Sequence, residues 1–192
     1  MLYTIGHSNH SFEAFLKLLQ AEGVEAVADV RSMPMSRFNP QFNQKNLRQA
    51  LQDAGLHYLF FGDSLGGHPR GPSGERFAHV PYDERVKMEG FQQGLQRLKT
   101  LAKEKRVAAM CAEKHPLNCH RALLVARALA EEDFPIRHIL AGGTLITQED
   151  LENALLRWTG QATPDLFFNR AQALSQAYRQ RKGMGTYKPV AT

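Results

Sequence analysis

The residues best equipped for chemistry fall within eleven positions, Cys111-Ala112-Glu113-Lys114-His115-Pro116-Leu117-Asn118-Cys119-His120-Arg121. This stretch joins an apolar run, Val107 to Met110, to a helical pattern from Leu123 to Ala130, so it reads as the link between a strand and a helix. On that reading Glu113 lies just past a strand end, and Cys119, His120 and Arg121 occupy the first helical turn. The unpaired N–H groups and positive dipole end of such a turn attract an anion. Arg121 could then hold a phosphate or carboxylate bidentately, while Glu113 and His120 could move protons. The thiolate of Cys119 would be favoured at the same place. A cysteine-anchored anion loop of the phosphatase or sulfurtransferase kind is not matched, since Pro116 and Leu124 stand where its arginine belongs. A metal site is not expected either: Cys-x7-Cys-His is not a structural zinc spacing, and adjacent residues on a helix point apart. Cys111, at the end of a buried strand, reads as a small core residue, and no cofactor is expected.

Positioning these groups requires a scaffold. Leu2 to Ile5, Val24 to Val30, His57 to Phe61, Arg106 to Cys111 and Ile136 to Leu140 read as five strands, separated by helical patterns. Ser11 is a candidate N-cap for a helix carrying Phe12, Phe15, Leu16 and Leu19, and Asn43 for one running to Asp53. Tyr82 to Lys105 reads as an amphipathic helix weakened by Gly90 and Gly94. Further helices are expected at Gln148 to Trp158, capped by Thr147, and near Leu166 to Arg181. The alternation predicts an α/β fold: a three-layer, open, mainly parallel sheet of Rossmann-like kind with helices on both faces, plus a C-terminal helical extension. The expected division is 1–145 for the α/β domain, 146–182 for the extension and 183–192 for a flexible basic tail.

Ligands of such sheets bind at the carboxyl ends of the strands. The loops there collect His7, Ser8 and His10; Asp29, Arg31 and Arg37; Gly66, Gly67 and His68; the Cys111 to Arg121 stretch; and Gly142 to Thr144. The opposite loops read as ordinary turns. His7, Asp29, Glu113 and His120 are therefore the candidate catalytic groups, and Ser8, Arg31, Arg37, Gly66, Gly67, Cys119 and Arg121 the candidate ligand contacts. Asp29 and Arg31 fit a structural ion pair equally well, and a lone His7 fits a structural donor. The long segment Gly62 to Pro81, with Pro69, Arg70, Pro72, Arg76 and His79, has the length of a binding loop or lid.

The 192 residues, 43% hydrophobic and 22% charged, suit one ordinary globular domain. The amino terminus lacks a signal sequence and no apolar run reaches the length of a membrane span, so a cytoplasmic location with reduced thiols and no membrane partner is expected. Of the net charge of +5, the segment from Asp165 onward carries +4, through Arg170, Arg179, Arg181, Lys182 and Lys188. A basic tail admits a polyanionic partner.

Taken together, Tyr3-Thr4-Ile5-Gly6-His7-Ser8, Asp29-Val30-Arg31 with Pro34, Ser36-Arg37 and Pro40, Leu65-Gly66-Gly67, and Cys111-Ala112-Glu113 through Pro116 to Cys119-His120-Arg121 resemble the family called domain of unknown function 488. The resemblance spans roughly residues 2 to 140. It implies a bacterial or archaeal cytoplasmic α/β domain and brings no established reaction.

Three functional readings follow. The first is binding of an anionic, phosphate-bearing or nucleotide-like molecule at the sheet's carboxyl end, with acid/base chemistry on it if the protein is an enzyme. The second is a non-catalytic nucleic-acid-binding module using the tail, Phe38, Phe42 and Tyr58. The third is thiol redox or sulfur transfer through Cys119. The oligomeric state is open.

Overall fold

A computed structural model of the chain describes residues 1–68, 75, 80–161, 169–181 and 183–189. Pro69, Arg70, Pro72, Arg76 and His79 of the long loop lie outside the described residues, as do Asp165, Leu166 and Lys182. In chain order the elements are β1 (Leu2–Gly6), α1 (Phe12–Ala21), β2 (Ala26–Asp29), α2 (Gln44–Asp53), β3 (His57–Phe60), α3 (Gly62–Leu65), α4 (Tyr82–Arg85), α5 (Glu89–Glu104), β4 (Val107–Cys111), α6 (Arg127–Ala130), β5 (Ile136–Ile139), β6 (Leu145–Thr147), α7 (Gln148–Trp158) and α8 (Arg170–Arg181).

The strands form one sheet in the order β3-β2-β4-β1-β5-β6. All pairs are parallel except β5 with β6, which is antiparallel. The three-layer α/β architecture is thus present, with one addition: Leu145–Thr147, between the Gly142 to Thr144 loop and α7, forms a short edge strand. Three residues carry too little periodicity to announce a strand. β1 and β4 are buried along their whole length, as central parallel strands must be when helices cover both faces. Their period of two divides the core. Val107, Ala109 and Cys111 face the layer of α5 and α6, whereas Ala108 and Met110 face Phe15, Leu19, Leu47 and Leu51 of α1 and α2.

Local signals account for the starts of α1 and α7. Ser11 Oγ accepts the Ala14 N–H at 3.2 Å and starts α1, and Thr147 forms a capping box with Asp150 at α7. Asn43 precedes α2 but caps nothing with its side chain; its Oδ1 accepts the Ser36 N–H at 2.6 Å instead. The helix expected from Tyr82 to Lys105 divides at Val86–Met88 into α4 and α5, and Arg85 at the end of α4 reaches inward to the Ser64 carbonyl. Gly94 lies where α5 crosses α3, and a Cβ there would overlap Ser64.

α7 and α8 pack through Leu151, Leu155, Leu156 and Ala177 onto Leu117 and Ala122. The C-terminal helices therefore seat directly on the stretch between Cys111 and Arg121. The segment after Gly183, expected to fray, is pinned at Tyr187: its N–H donates to Asn118 Oδ1 at 2.8 Å, and its ring meets His115 and Trp158. Among the described residues, no helix is long and apolar enough to cross a membrane.

Candidate functional site

The strand order creates the site. The loops after β1 and β2 lead to α1 and α2 on one face, while the loop after β4 leads to α6 on the other. Because β4 lies between β1 and β2, crevices open on both sides of its carboxyl end, where ligands of open α/β sheets bind. Cys111 is the last residue of β4 and stands between those crevices.

The path from Cys111 to α6 departs from the simple strand-loop-helix expectation. Pro116–Asn118 form a 3-10 turn, Cys119 is extended (φ −136°, ψ 139°), and Arg121–Ala126 form a π-helix that runs into α6. Cys119 thus precedes the helix rather than occupying its first turn, and its carbonyl accepts the N–H groups of Ala122 and Leu123. This extended residue reverses the geometric objection to a shared centre: Cys119 and His120 converge instead of pointing apart. Cys119 Sγ lies 2.9 Å and Cys111 Sγ 3.1 Å from Glu113 Oε2, and His120 Nδ1 lies 3.7 Å from Cys111 Sγ. The ligand atoms of Cys111, Glu113, Cys119 and His120 all fall within 4.8 Å of one another. Both cysteines are free thiols and almost wholly buried.

Electrostatics differentiate these four groups. Burial raises the Cys119 thiol, but the Cys111 S–H and the charges of Arg121 and His120 outweigh it and hold Cys119 well below its ordinary range. Contact with Cys119, then burial, drives Cys111 well above it. Burial and the neighbouring Cys119 also raise Glu113, whose Oε2 turns inward although the residue as a whole is exposed. His120 Nε2 lies 2.8 Å from the Val30 carbonyl, which can only accept. The ring therefore carries a proton on Nε2 and presents Nδ1 to the sulfurs. Burial lowers His120, but Cys119 and the Val30 carbonyl raise it further.

Arg121 is placed differently from the expectation of an anion clamp. It is fully buried, with NH1 donating to the Glu113 carbonyl at 2.6 Å and NH2 to the Lys114 carbonyl at 3.3 Å. Its two terminal nitrogens hold the backbone beside the thiols, while its buried Nε has no hydrogen-bond partner. Gly6 allows this approach, since a Cβ there would overlap the Glu113 carbonyl oxygen and sit 3.1 Å from Arg121 NH1. Gly67 lies against the His120 ring in the same way, 3.2 Å from where its Cβ would be. Gly66 is a packing glycine, its missing Cβ pressed against Ser32 and the Gly62 carbonyl.

The face of the sheet covered by α1 and α2 holds a separate network. Arg31 forms a bidentate pair with Asp29, Nε to Oδ1 at 2.9 Å and NH2 to Oδ2 at 2.6 Å, and both residues are buried. The Tyr58 hydroxyl donates to Asp29 Oδ2 at 2.8 Å, and Arg31 NH2 also reaches the Phe42 carbonyl. Arg31 NH1 lies 3.2 Å from His7 Nε2. A guanidinium can only donate, so Nε2 accepts and Nδ1–H is directed at the Ser8 carbonyl, 2.8 Å away. His7 stacks on Phe42 with ring centroids 4.3 Å apart. Burial, then Arg31, lowers its pKa to about 4, so it is neutral near pH 7. Asp29, Arg31 and His7 are thus committed to one another, and none offers an unengaged proton-transfer group. Ser8 adopts φ 48°, and its hydroxyl donates to Asn9 Oδ1 at 3.3 Å. Arg37 is exposed on the loop between β2 and α2.

A cavity of about 360 Å³ opens over this network, lined by His7, Ser8, Asn9, Arg31, Met33, Met35, Ser36, Asn39 and Ala112. A second, of about 350 Å³, reaches the opposite side of His120 and is lined by Gly67, Tyr82, Leu123, Leu124, Arg127 and Tyr178 among others. Of the aromatics expected to stack on nucleic acid, Phe42 is buried, Tyr58 is bonded to Asp29 and Phe38 is 94% exposed. In the basic tail, Arg181 donates to the Leu117 carbonyl and to Asn118, while Arg170 bonds Asn153 and lies 3.5 Å from Glu152. These two cations are spent on packing.

Sequence reasoning missed Arg85, buried in the structure, whose NH2 donates to the Ser64 and Gly66 carbonyls and fixes the turn beside His120. No local signal distinguishes it from a solvated helix arginine. It also missed Thr4 and His138, which bond at 2.8 Å in the interior; a period-two strand with one buried polar pair was the available hint.

No curated protein and no solved structure matches the chain. The family model for Domain of unknown function DUF488 matches residues 11–128, more than half of the sequence. That span carries Asp29, Arg31, Gly67, Cys111, Glu113, Cys119, His120 and Arg121, and the chain belongs to this family.

Proposed function

We propose that the protein binds a phosphate-bearing or nucleotide-like small molecule at the carboxyl end of its sheet, between the loops that follow β1 and β2. The cavity of about 360 Å³ over His7 and Arg31 carries this reading. Ser8, Asn9 and Asn39 supply the neutral polar groups that a sugar or a base edge meets, and the exposed thioethers of Met33 and Met35 supply polarisable surface for a ring. Arg37, exposed beside Ser36, provides charge for an anionic group. His7 and Arg31 form a paired, preorganised floor; they orient a ligand rather than exchange protons with it.

The test is thermal denaturation of the full chain with inorganic phosphate, sugar phosphates, and nucleoside mono- and triphosphates. At least one compound raises Tm, and Arg37→Ala or Asn39→Ala weakens that response. A panel that leaves Tm unchanged, confirmed by calorimetry, removes the reading.

A further inference from the structure

We infer that Cys111, Glu113, Cys119 and His120 form a binding site for one thiophilic divalent cation of the zinc class. This inference concerns the face of the sheet covered by α5 and α6, opposite the network of Asp29, Arg31 and His7, and stands independently of the proposed ligand cavity.

The donor set comes first. Two sulfurs, one imidazole nitrogen and one carboxylate oxygen favour zinc or a comparably soft ion over magnesium or calcium, which take oxygen alone. Tetrahedral zinc with bonds of about 2.3 Å to sulfur and about 2.0 Å to nitrogen or oxygen separates its ligand atoms by roughly 3.3–3.8 Å. The Cys111 Sγ to His120 Nδ1 distance of 3.7 Å is already in that range. The two sulfur to Oε2 distances, 3.1 and 2.9 Å, would open by about half an ångström around a central ion. All four ligand atoms lie within 4.8 Å of one another, so an ion would draw the longer separations in as these two open.

The surroundings fit as well. His120 is oriented by its Nε2–H on the Val30 carbonyl, the arrangement that aims the other ring nitrogen at a metal. Two thiolates, one carboxylate and a dication leave one negative charge, and the buried Arg121 guanidinium supplies one positive charge next to it. The Arg121 N–H also lies 3.4 Å from Cys119 Sγ, as an outer partner to that sulfur. The ligands come from the end of β4, the following loop and the start of the π-helix, so the backbone holds three of the four in place before an ion arrives.

The experiment uses the full reduced chain. After purification without chelator, elemental analysis gives close to one zinc per chain. Stripped protein titrated with Co(II) develops thiolate charge-transfer bands and the intense visible bands of tetrahedral cobalt, which added Zn(II) displaces. Cys111→Ser and Cys119→Ser each remove roughly half of the charge-transfer intensity, as expected for one of two thiolates, and His120→Gln weakens Zn(II) binding. If these variants fail to fold, the wild-type cobalt spectrum and protection of Cys111 and Cys119 from alkylation by Zn(II) decide the matter. Substoichiometric metal, an octahedral cobalt spectrum, or binding unchanged in Cys119→Ser overturns the inference. So does a reduced protein that binds no Zn(II) yet forms a Cys111–Cys119 disulfide on oxidation, which would assign the pair to redox chemistry. Because the readout is metal content and cobalt spectroscopy, a failed phosphate panel leaves it untouched, and the reverse holds too.

Discussion

The Arg121 guanidinium donates to the main-chain carbonyl of Glu113 across 2.6 Å, inside the protein and without a carboxylate partner in that contact. It therefore stabilises a loop conformation. Replacing Arg121 with Met would leave the carbonyls of Glu113 and Lys114 without their buried donor, at about 1–3 kcal/mol for each group where water does not replace it. The expected result is a loss of about 3 kcal/mol in urea denaturation. A loss under about 0.5 kcal/mol would show that the loop holds its shape without the guanidinium.

Gly6→Ala is expected to destabilise by about 2–3 kcal/mol, as overpacking does where backbone rather than a flexible side chain is struck. The new methyl would meet the Glu113 carbonyl. Gly142→Ala serves as control: its Cβ would meet open space, and the change should stay within about 0.5 kcal/mol. Equal effects from the two would contradict the close approach of β1 to the Glu113 loop.

Asp29→Ala strands Arg31 in the interior beside His7. Breaking a buried pair from one side costs about 3–5 kcal/mol, whereas removing both charges is far milder. Asp29→Ala should approach the former range, and Asp29→Ala with Arg31→Met should recover much of the loss. A double variant as unstable as the sum of its parts would mean that Asp29 and Arg31 do not act as a pair.

Stability should fall as pH drops from about 6.5 toward 4. His138 is fully buried, bonded to Thr4 and Gln148, and burial lowers its pKa from 6.5 to about 4. In that window the unfolded chain takes up the proton and the folded one refuses it, so the folded state loses ground; above 6.5 both are neutral and the contribution is flat. His138 alone accounts for up to about 3 kcal/mol. His7 and His115, also lowered to about 4, act in the same direction. Denaturation midpoints at pH 7 and pH 5 should converge in His138→Gln relative to the wild type. An unchanged pH slope in that variant would assign the effect elsewhere.

The scaffold was legible because its signals are local and repeated. Leu2–Gly6 and Val107–Cys111 are continuous apolar runs, Phe12 to Leu19 repeats at helical spacing, and Ser11 and Thr147 cap as their types suggest. The gathering of polar residues in the carboxyl-end loops was equally readable. Which groups are engaged was not. Arg31 and Arg121 look like anion ligands in a string of letters, yet one meets Asp29 two residues away and the other meets carbonyls brought close by Gly6. The insertion of β4 between β1 and β2, which decides who faces whom, leaves no trace in periodicity. The meeting of Cys119 and His120 with Cys111 depended on one extended residue ahead of a π-helix, and helical spacing assumed for that turn gave the wrong directions.

That π-helix makes the centre depend on helix winding as well as composition. Its i to i+5 bonding takes up more residues per turn than an α-helix does. Rewinding Arg121–Ala126 as ordinary α-helix continuous with α6, with the chain length unchanged, would turn everything upstream by about 100° around the axis. Cys119 and His120 would rotate away from Cys111 and Glu113 with every one of the four side chains still present. Removing one residue together with the wide winding would cancel that turn and bring the cluster back, with the apolar seam of Val125, Ala126 and Leu129 kept against the sheet.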